Sequence, residues 1–543
     1  MTRWGMVVDV NRCVGCQTCT IACKHANATP PGVQWRRVLD VEYGEFPDVE
    51  RLFLVVGCQH CANPPCVPVC PTGATRQRPD GLVTMNYDAC IGCASCAVAC
   101  PYQARTIVHD QAWYYGRPTA QEAALAHEER LGVANKCTFC IERIDTAPER
   151  GLVPGVDPEA TPACAVSCIS QAIRFGDFAD PDSEVSRLLR TNRSFQMHAE
   201  LGTEPQVRYL YDLPQSMPGR APDPADHDDS ALADPSNPLV GVRQPFWDYR
   251  AAMNFMLGGM ASGLASVAAL AQWTGSLDAS ALPVVNLVAA LLMAIGLFFV
   301  FLKLGRKARF LRVLLRPQTS WMTRETYCVG VFYPAVAAGL LWPHPVIAGI
   351  VAAAAMGFLV CQALILHAAK GIPTWRTPDM PWLLIATGLL EGLGLLAVVS
   401  ALSGGRIVFT PLLAVAGIAL ALVNAGLWVR YRAAARARGI GPQSRQILAQ
   451  LAIPLHGAGH ALPAALFALS LAATGTAAGL LSAAAGASAI AGGMLWKFVV
   501  VTRVCHQQGF ALPMLPRRGS GRRAAPARLG HGTRWSESAA VQR

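Results

Sequence analysis

Charge is what this chain has least of. Of its 543 residues only 15% are Asp, Glu, Lys or Arg and 52% are hydrophobic, against about 25% charged in an average soluble domain. That balance excludes an ordinary water-soluble protein of this length and points to a large membrane part. Also missing is any G-x-G-x-x-G fingerprint or phosphate-gripping loop, so neither dinucleotide nor nucleoside triphosphate chemistry is expected. No secretory signal pattern is read at Met1-Thr2-Arg3-Trp4, which argues against a disulfide scaffold assembled in an oxidising compartment. The net charge of +11 is explained by loop asymmetry and a basic tail, and calls for no nucleic-acid partner.

What the chain has instead is cysteine, gathered at one end. Sixteen of its nineteen cysteines form four quartets before residue 169. They are Cys13, Cys16, Cys19 and Cys23; Cys58, Cys61, Cys66 and Cys70; Cys90, Cys93, Cys96 and Cys100; and Cys137, Cys140, Cys164 and Cys168. The third has the C-x2-C-x2-C-x3-C-P spacing of bacterial ferredoxins. Three thiolates at i, i+3 and i+6 can wrap a tight loop around one cubane, while the fourth points away and ligates a neighbour, so two runs interlock to complete two sites. Four runs therefore imply four 4Fe-4S clusters. Structural zinc prefers two C-x2-C pairs set a dozen or more residues apart and has no use for cysteines at i+6 and i+10. The fourth quartet, with 23 residues between Cys140 and Cys164, draws its weight from the three before it. No quartet carries Trp or Asp in place of a cysteine.

After residue 250 eight segments qualify as spans by length and lack of charge: Met253 to Trp273, Leu282 to Leu302, Thr326 to Trp342, Val346 to Leu366, Pro381 to Ser403, Ile407 to Val429, Ile447 to Ala473 and Ala477 to Val501. Their high content of Gly, Ala and Ser suits helices that pack closely in lipid. The expected architecture is an α+β ferredoxin-like domain over 1–211 and a Pro- and Asp-rich linker over 212–250, then an all-α eight-helix transmembrane bundle over 251–509 and a basic, disordered tail over 510–543. The loops after spans two, four and six hold seven, two and five Lys or Arg, and those after spans one, three, five and seven hold only Arg406. By the positive-inside rule the basic face is cytoplasmic. With eight spans both termini share it, which places the cysteine domain in the cytoplasm, on an inner-membrane protein.

The chain resembles a fusion of two subunits of the dimethyl sulfoxide reductase family of molybdopterin oxidoreductases, the iron-sulfur electron-transfer subunit and the membrane anchor. The resemblance is carried by Thr2-Arg3-Trp4-Gly5-Met6 before Cys13, Asn63-Pro64-Pro65 inside the second quartet, Ser320 to Glu325 at the start of span three, and Gln508-Gly509-Phe510-Ala511-Leu512-Pro513 with Pro516 to Gly519. It implies that quartets one and four share two clusters and quartets two and three the other two. The ligand sets are then Cys13, Cys16, Cys19 with Cys168; Cys23 with Cys137, Cys140, Cys164; Cys58, Cys61, Cys66 with Cys100; and Cys70 with Cys90, Cys93, Cys96. It also implies a separate molybdopterin catalytic partner and exchange with quinone. Two features depart from the family pattern: the subunits are fused, and the loop charges set the cysteine domain inside the cell. The second is more similar to the sulfite dehydrogenase branch, in which sulfite is oxidised and quinone reduced. The alternatives are reductase input from menaquinol and a quinone-linked proton-moving module; a purely structural anchor needs no clusters.

Ionisable groups in spans are costly and call for a function or a partner. Glu325 stands at the entrance of span three beside Arg324 and Tyr327, where the resembling anchors place a quinol-linked carboxylate; the alternative is an interfacial carboxylate paired with a loop arginine. Glu391, in the middle of span five, is expected either to be protonated and hydrogen-bonded or to relay protons. His456 and His460, four apart, share a helix face and suit quinone hydrogen bonding or helix packing. Haem is not expected, since an axial pair needs a facing histidine and His367 is the only modest candidate. Lys497 is expected to snorkel to the cytoplasmic edge, and Cys328, Cys361 and Cys505 to be ordinary thiols.

Overall fold

The computed structural model describes residues 1–45, 48–211, 236–404, 407–510 and 535–536. The chain forms two compact units, Met1–Val242 with Gln507–Arg543, and Arg243–His506.

In the first unit the strand Trp4–Asp9 is buried through Met6, Val7 and Val8. It can be apolar on both faces because it is an interior strand of a five-stranded sheet, paired on both sides. Val207–Leu210 runs parallel to it, with Met6 opposite Val207, and Ile173–Asp177 runs antiparallel, with Met6 opposite Phe175. Ser194–Phe195 and Trp535–Ser536 extend the sheet to one edge. A hairpin of Arg36–Glu45 and Asp48–Gly57 carries the chain from the first quartet to the second. The unit does not end at residue 211. Leu239 is fully buried in its core, and the Phe510 N–H, with the Phe510 ring also buried, donates to the Leu239 carbonyl at 2.9 Å. Of residues 236–250, assigned by composition to the linker, Leu239, Val240, Gln244 and Trp247 are buried, and the rest of that linker, 212–235, lies outside the described residues. So does nearly all of the expected tail.

The second unit is helical. Its long helices are α1 (Tyr249–Trp273), α2 (Leu282–Lys303), α3 (Trp321–Leu341), α4 (Pro345–His367), α5 (Met380–Leu402), α6 (Pro411–Ala437), α7 (Pro442–Ala472) and α8 (Gly475–Thr502). All but α3 are long and apolar enough to cross a bilayer, giving seven candidate spans among the described residues. The eight-span expectation is met in part: α3, at 21 residues, has the length for about 30 Å of hydrocarbon but opens on the polar Thr323, Arg324 and Glu325.

Glycine sets how closely the helices approach. A side chain at Gly263 of α1 would strike the Gly388 carbonyl of α5, and one at Gly394 of α5 would come within 2.8 Å of the Gly486 carbonyl of α8. Backbones this near give the dispersion contact that drives association in lipid, where no hydrophobic force exists between helices. Both α1 and α7 contain a π-helical turn, Asn254–Gly258 and Leu455–Ala461, a local widening frequent at functional sites.

Candidate functional site

The C-x2-C loop that opens each quartet uses one device. Each turns through positive φ at its third residue: Gly15 (70°), His60 (42°), Gly92 (71°) and Phe139 (58°). Glycine adopts this at no cost; His60 and Phe139 are held there by each other. Their rings stack at 3.9 Å between centroids. The Val83 N–H donates to His60 Nδ1 at 3.1 Å, so the proton sits on Nε2, which donates to the Cys137 carbonyl at 3.1 Å. Burial, with Lys136 nearby, pushes the His60 pKa well below the usual histidine range, and a neutral ring fits that pair of bonds. In quartets one and three a second left-handed residue, Gln17 or Ala94, starts a short helix that carries the third cysteine, Cys19 or Cys96.

These loops bring the thiols into four neighbourhoods, seen in which thiolates repel one another. Cys13 and Cys19 feel Cys168, and Cys13 feels Cys16. Cys23 feels Cys137, Cys140 and Cys164. Cys61 feels Cys58, Cys66 and Cys100, and Cys96 feels Cys70, Cys90 and Cys93. Neighbourhoods also touch: Cys19 feels Cys164, and Cys137 feels Cys58. Burial pushes Cys19 and Cys93 up to about 11 and Cys100 and Cys137 up to about 12. Four such thiols ionise together only around a cationic centre. Among the described residues no three metal-binding side chains converge tightly enough for a single ion. A cluster of several irons, ligated by one thiolate per iron, needs no such convergence on a single point. Buried guanidinium N–H groups face the same thiolates with no hydrogen-bond partner among the described residues, Nε and Nη1 of Arg36 and Nη2 of Arg105. The donor set therefore fits cubanes.

In the helical unit Glu325 is buried near the start of α3, its Oε1 accepting from Asn254 Nδ2 at 3.4 Å. The Asn254 carbonyl, in the π turn of α1, accepts from Gln362 Nε2 of α4 at 2.8 Å. Asn254 Oδ1 and Gln362 Oε1 are buried with no donor among the described residues. Arg324 and Tyr327 turn elsewhere. Arg324 donates to the Pro317 and Gln318 carbonyls at 2.8 and 2.7 Å, and the Tyr327 hydroxyl donates to the Leu314 carbonyl at 3.1 Å. Both fasten the loop before α3. His456 and His460 lie on the π turn of α7, ring centroids 5.8 Å apart, with His460 Nδ1 buried and unpartnered among the described residues. His367 Nδ1 donates to the Thr377 carbonyl at 3.2 Å.

Lys497 does not snorkel. Its side chain is 1% exposed and its ammonium lies 2.5 Å from Oε2 of the fully buried Glu391. Glu391 is thus ion-paired, a state that neither of its expected readings included. The pair fits because Gly493 and Gly259 leave room: a Cβ at Gly493 would strike the Glu391 carboxylate, and one at Gly259 would lie 2.5 Å from Lys497 Nζ.

Comparison with known proteins bears on the first unit. Residues 49–114 match the model of a 4Fe-4S dicluster domain. The chain is 39% identical over 233 residues to the iron-sulfur subunit assigned to a dimethyl sulfoxide reductase in Halobacterium salinarum, covering 82% of that protein and 40% of this one. It belongs to the family of iron-sulfur subunits of dimethyl sulfoxide reductase type oxidoreductases. Other members are similar to a like extent. A subunit of the sulfite dehydrogenase of Allochromatium vinosum is 38% identical over 226 residues, 83% of its length and 39% of this chain. The iron-sulfur subunit of a menaquinone reductase of Nitratidesulfovibrio vulgaris is 35% identical over 226 residues, 88% of its length and 38% of this chain. The matched part of this family member is its first 230 or so residues, and a helical region follows.

Sequence reasoning missed Asn254, Gln362, Arg36 and Arg105, and misplaced Lys497. The signal for the first two was present: a lone amide in an apolar span is a polar group that must find a partner. The buried arginines stand in polar stretches and gave none.

Proposed function

We propose that the chain is the electron-transfer and anchoring subunit of a membrane oxidoreductase, carrying electrons between a molybdopterin-containing catalytic partner and the quinone pool. The observation that carries this is the joining, in one polypeptide, of four thiol neighbourhoods with a bundle that buries a carboxylate among unsatisfied amide oxygens. The neighbourhoods are read as four 4Fe-4S sites with the sixteen quartet cysteines as ligands, in the sets Cys13/16/19/168, Cys23/137/140/164, Cys58/61/66/100 and Cys70/90/93/96. Bound there, each cluster supplies a one-electron carrier. The chain's own contribution is to hold the sites in line, the first next to the second through Cys19 and Cys164 and the second next to the third through Cys137 and Cys58. His60 and Phe139 brace that central junction.

For quinone we favour the polar group around Glu325, with Asn254 and Gln362. A quinol hydroxyl is a donor, and Asn254 Oδ1 and Gln362 Oε1 are acceptors in want of one; Glu325 then takes or returns the proton. His456 and His460 stand as a further quinone contact. The α3 helix is read as the eighth span, with the iron-sulfur unit cytoplasmic. Sulfite oxidation with quinone reduction suits that side, and the likeness to a sulfite dehydrogenase component supports it. Iron analysis of anaerobically purified protein should give about sixteen atoms, four per cubane. Eight or fewer, with zinc in the remainder, would overturn the four-cluster reading.

A further inference from the structure

Two arginines lie buried where, among the described residues, the strongest anionic neighbours are cysteine thiolates. Arg36 is 0% exposed and Arg105 3%. Arg36 touches Met6 Sδ through Nη2 at 3.1 Å, and Arg105 touches Thr75 Oγ1 and Met85 Sδ through Nη1 at 3.2 and 3.1 Å. These are weak, neutral partners for a guanidinium, and the remaining N–H groups named above have none among the described residues. An unpaired buried cation is among the costliest features a fold can carry. The chain nonetheless makes room for one: Arg36 stands opposite Gly57 in the hairpin, and a Cβ at Gly57 would lie 3.3 Å from Arg36 Nη1.

The placement of the two is the same in each half of the unit. Arg36 faces Cys19 of the first site and Cys23, Cys137 and Cys164 of the second. Arg105 faces Cys58, Cys66 and Cys100 of the third and Cys96 of the fourth. Each arginine therefore stands at the interlock of one pair of quartets, in reach of both sites of that pair. Among the described residues only these two arginines are so enclosed; Arg37, next in sequence to Arg36, is partly exposed.

We propose that Arg36 and Arg105 are redox-positioning residues, one buried guanidinium per cluster pair, each raising the reduction potentials of the two clusters it adjoins. Reduction adds an electron to a cluster already made anionic by four thiolates. A buried cation nearby favours the more negative state, and low-dielectric surroundings leave its field unscreened. The orphan N–H groups would donate to cluster or cysteine sulfur, which strengthens the same preference. The inference rests on the four-site reading, and the two are separable by experiment.

The test is a potentiometric titration of the full-length, iron-loaded protein in detergent, followed by electron paramagnetic resonance, on wild type, Arg36→Met, Arg36→Lys, Arg105→Met and Arg105→Lys. Iron content of the wild type tests the four-site reading independently. Arg36→Met should shift two of the four clusters to lower potential by at least the tenfold change in equilibrium that 59 mV represents for one electron, leaving the other two unmoved. Arg105→Met should shift the complementary pair. Each Lys variant keeps the charge and should recover most of the shift. Unaltered potentials at full iron content would overturn the proposal, as would Lys variants shifted as far as Met. If a Met variant loses iron, Gln replaces it; loss of iron in both neutral variants would assign the guanidinium to assembly alone, which also overturns it.

Discussion

Replacing Glu391 by Gln leaves the Lys497 ammonium in the middle of the bundle with no countercharge. The two side chains are 0% and 1% exposed and their charged atoms 2.5 Å apart, so water can replace nothing that the mutation removes. Breaking a buried ion pair from one side costs about 3–5 kcal/mol, an order above the few tenths expected had Glu391 been a neutral helix contact whose bonding an amide could imitate. The reverse change, Lys497→Met, should cost less, because a lone carboxyl can take up a proton and become neutral. Removing both together, Glu391→Leu with Lys497→Met, should recover much of the loss. Thermal unfolding of the bundle in detergent, run as a double-mutant cycle, gives the coupling directly. Iron content should stay at the wild-type value throughout. A Glu391→Gln protein within about 1 kcal/mol of wild type would refute the ion pair as a structural element.

Three further outcomes are expected. Cys96→Ser should remove the site shared with Cys70, Cys90 and Cys93 and leave the signals of the Cys13 site intact, read by electron paramagnetic resonance and by a fall in iron of about four atoms. Glu325→Gln should slow quinone-linked turnover in membranes by tenfold or more, within the range that proton transfer contributes, while turnover with an artificial dye that bypasses the bundle is unchanged; equal loss of both would mean failed assembly, and normal quinone turnover would remove Glu325 from the mechanism. A reporter active only in the cytoplasm should be active after Arg543 and silent at Gly275; the reverse pattern would show that the loop charges do not set the orientation, and activity at both sites would favour seven crossings over eight.

How much of this was legible in the sequence follows from which interactions are local. The cysteine loops were readable because a C-x2-C turn closes within four residues and needs little beyond a residue tolerant of positive φ. Gly15 and Gly92 announce that; His60 and Phe139 do not, because their strained loops are held by a stacking contact between residues 79 positions apart. The helices were readable from apolar length, with ends off by a few residues where polar residues continue a helix beyond its apolar stretch: α3 starts at Trp321, which draws Glu325 inside the helix rather than at its mouth. Partners across helices were not readable. Lys497 lies five residues before the end of α8, a position that suggests an escape to water until α5 is known to lie against it. Arg36 and Arg105 gave no sign at all, since burial of a charged residue contradicts what its composition predicts.

Two of the buried carboxylates of the bundle, Glu391 and Glu325, differ in a way that bears on the proposed proton exchange with quinone. Glu391 is balanced by a full charge, so adding a proton to it strands Lys497, with both side chains enclosed by the bundle. Glu325 is surrounded by amides. Its proton can come and go without leaving a neighbouring charge unpaired, and Asn254, freed from regular helical bonding by the π turn, offers its amide to the carboxylate and its carbonyl to Gln362. A side chain at Gly258 would come within 2.8 Å of Gln362 Nε2, so the same turn that frees the carbonyl also leaves space for the amide that reaches it. On the proposed reading, proton exchange with quinone belongs at α1, α3 and α4. The pair between α5 and α8 is a lock, and the proton-moving alternative loses the group it most needs.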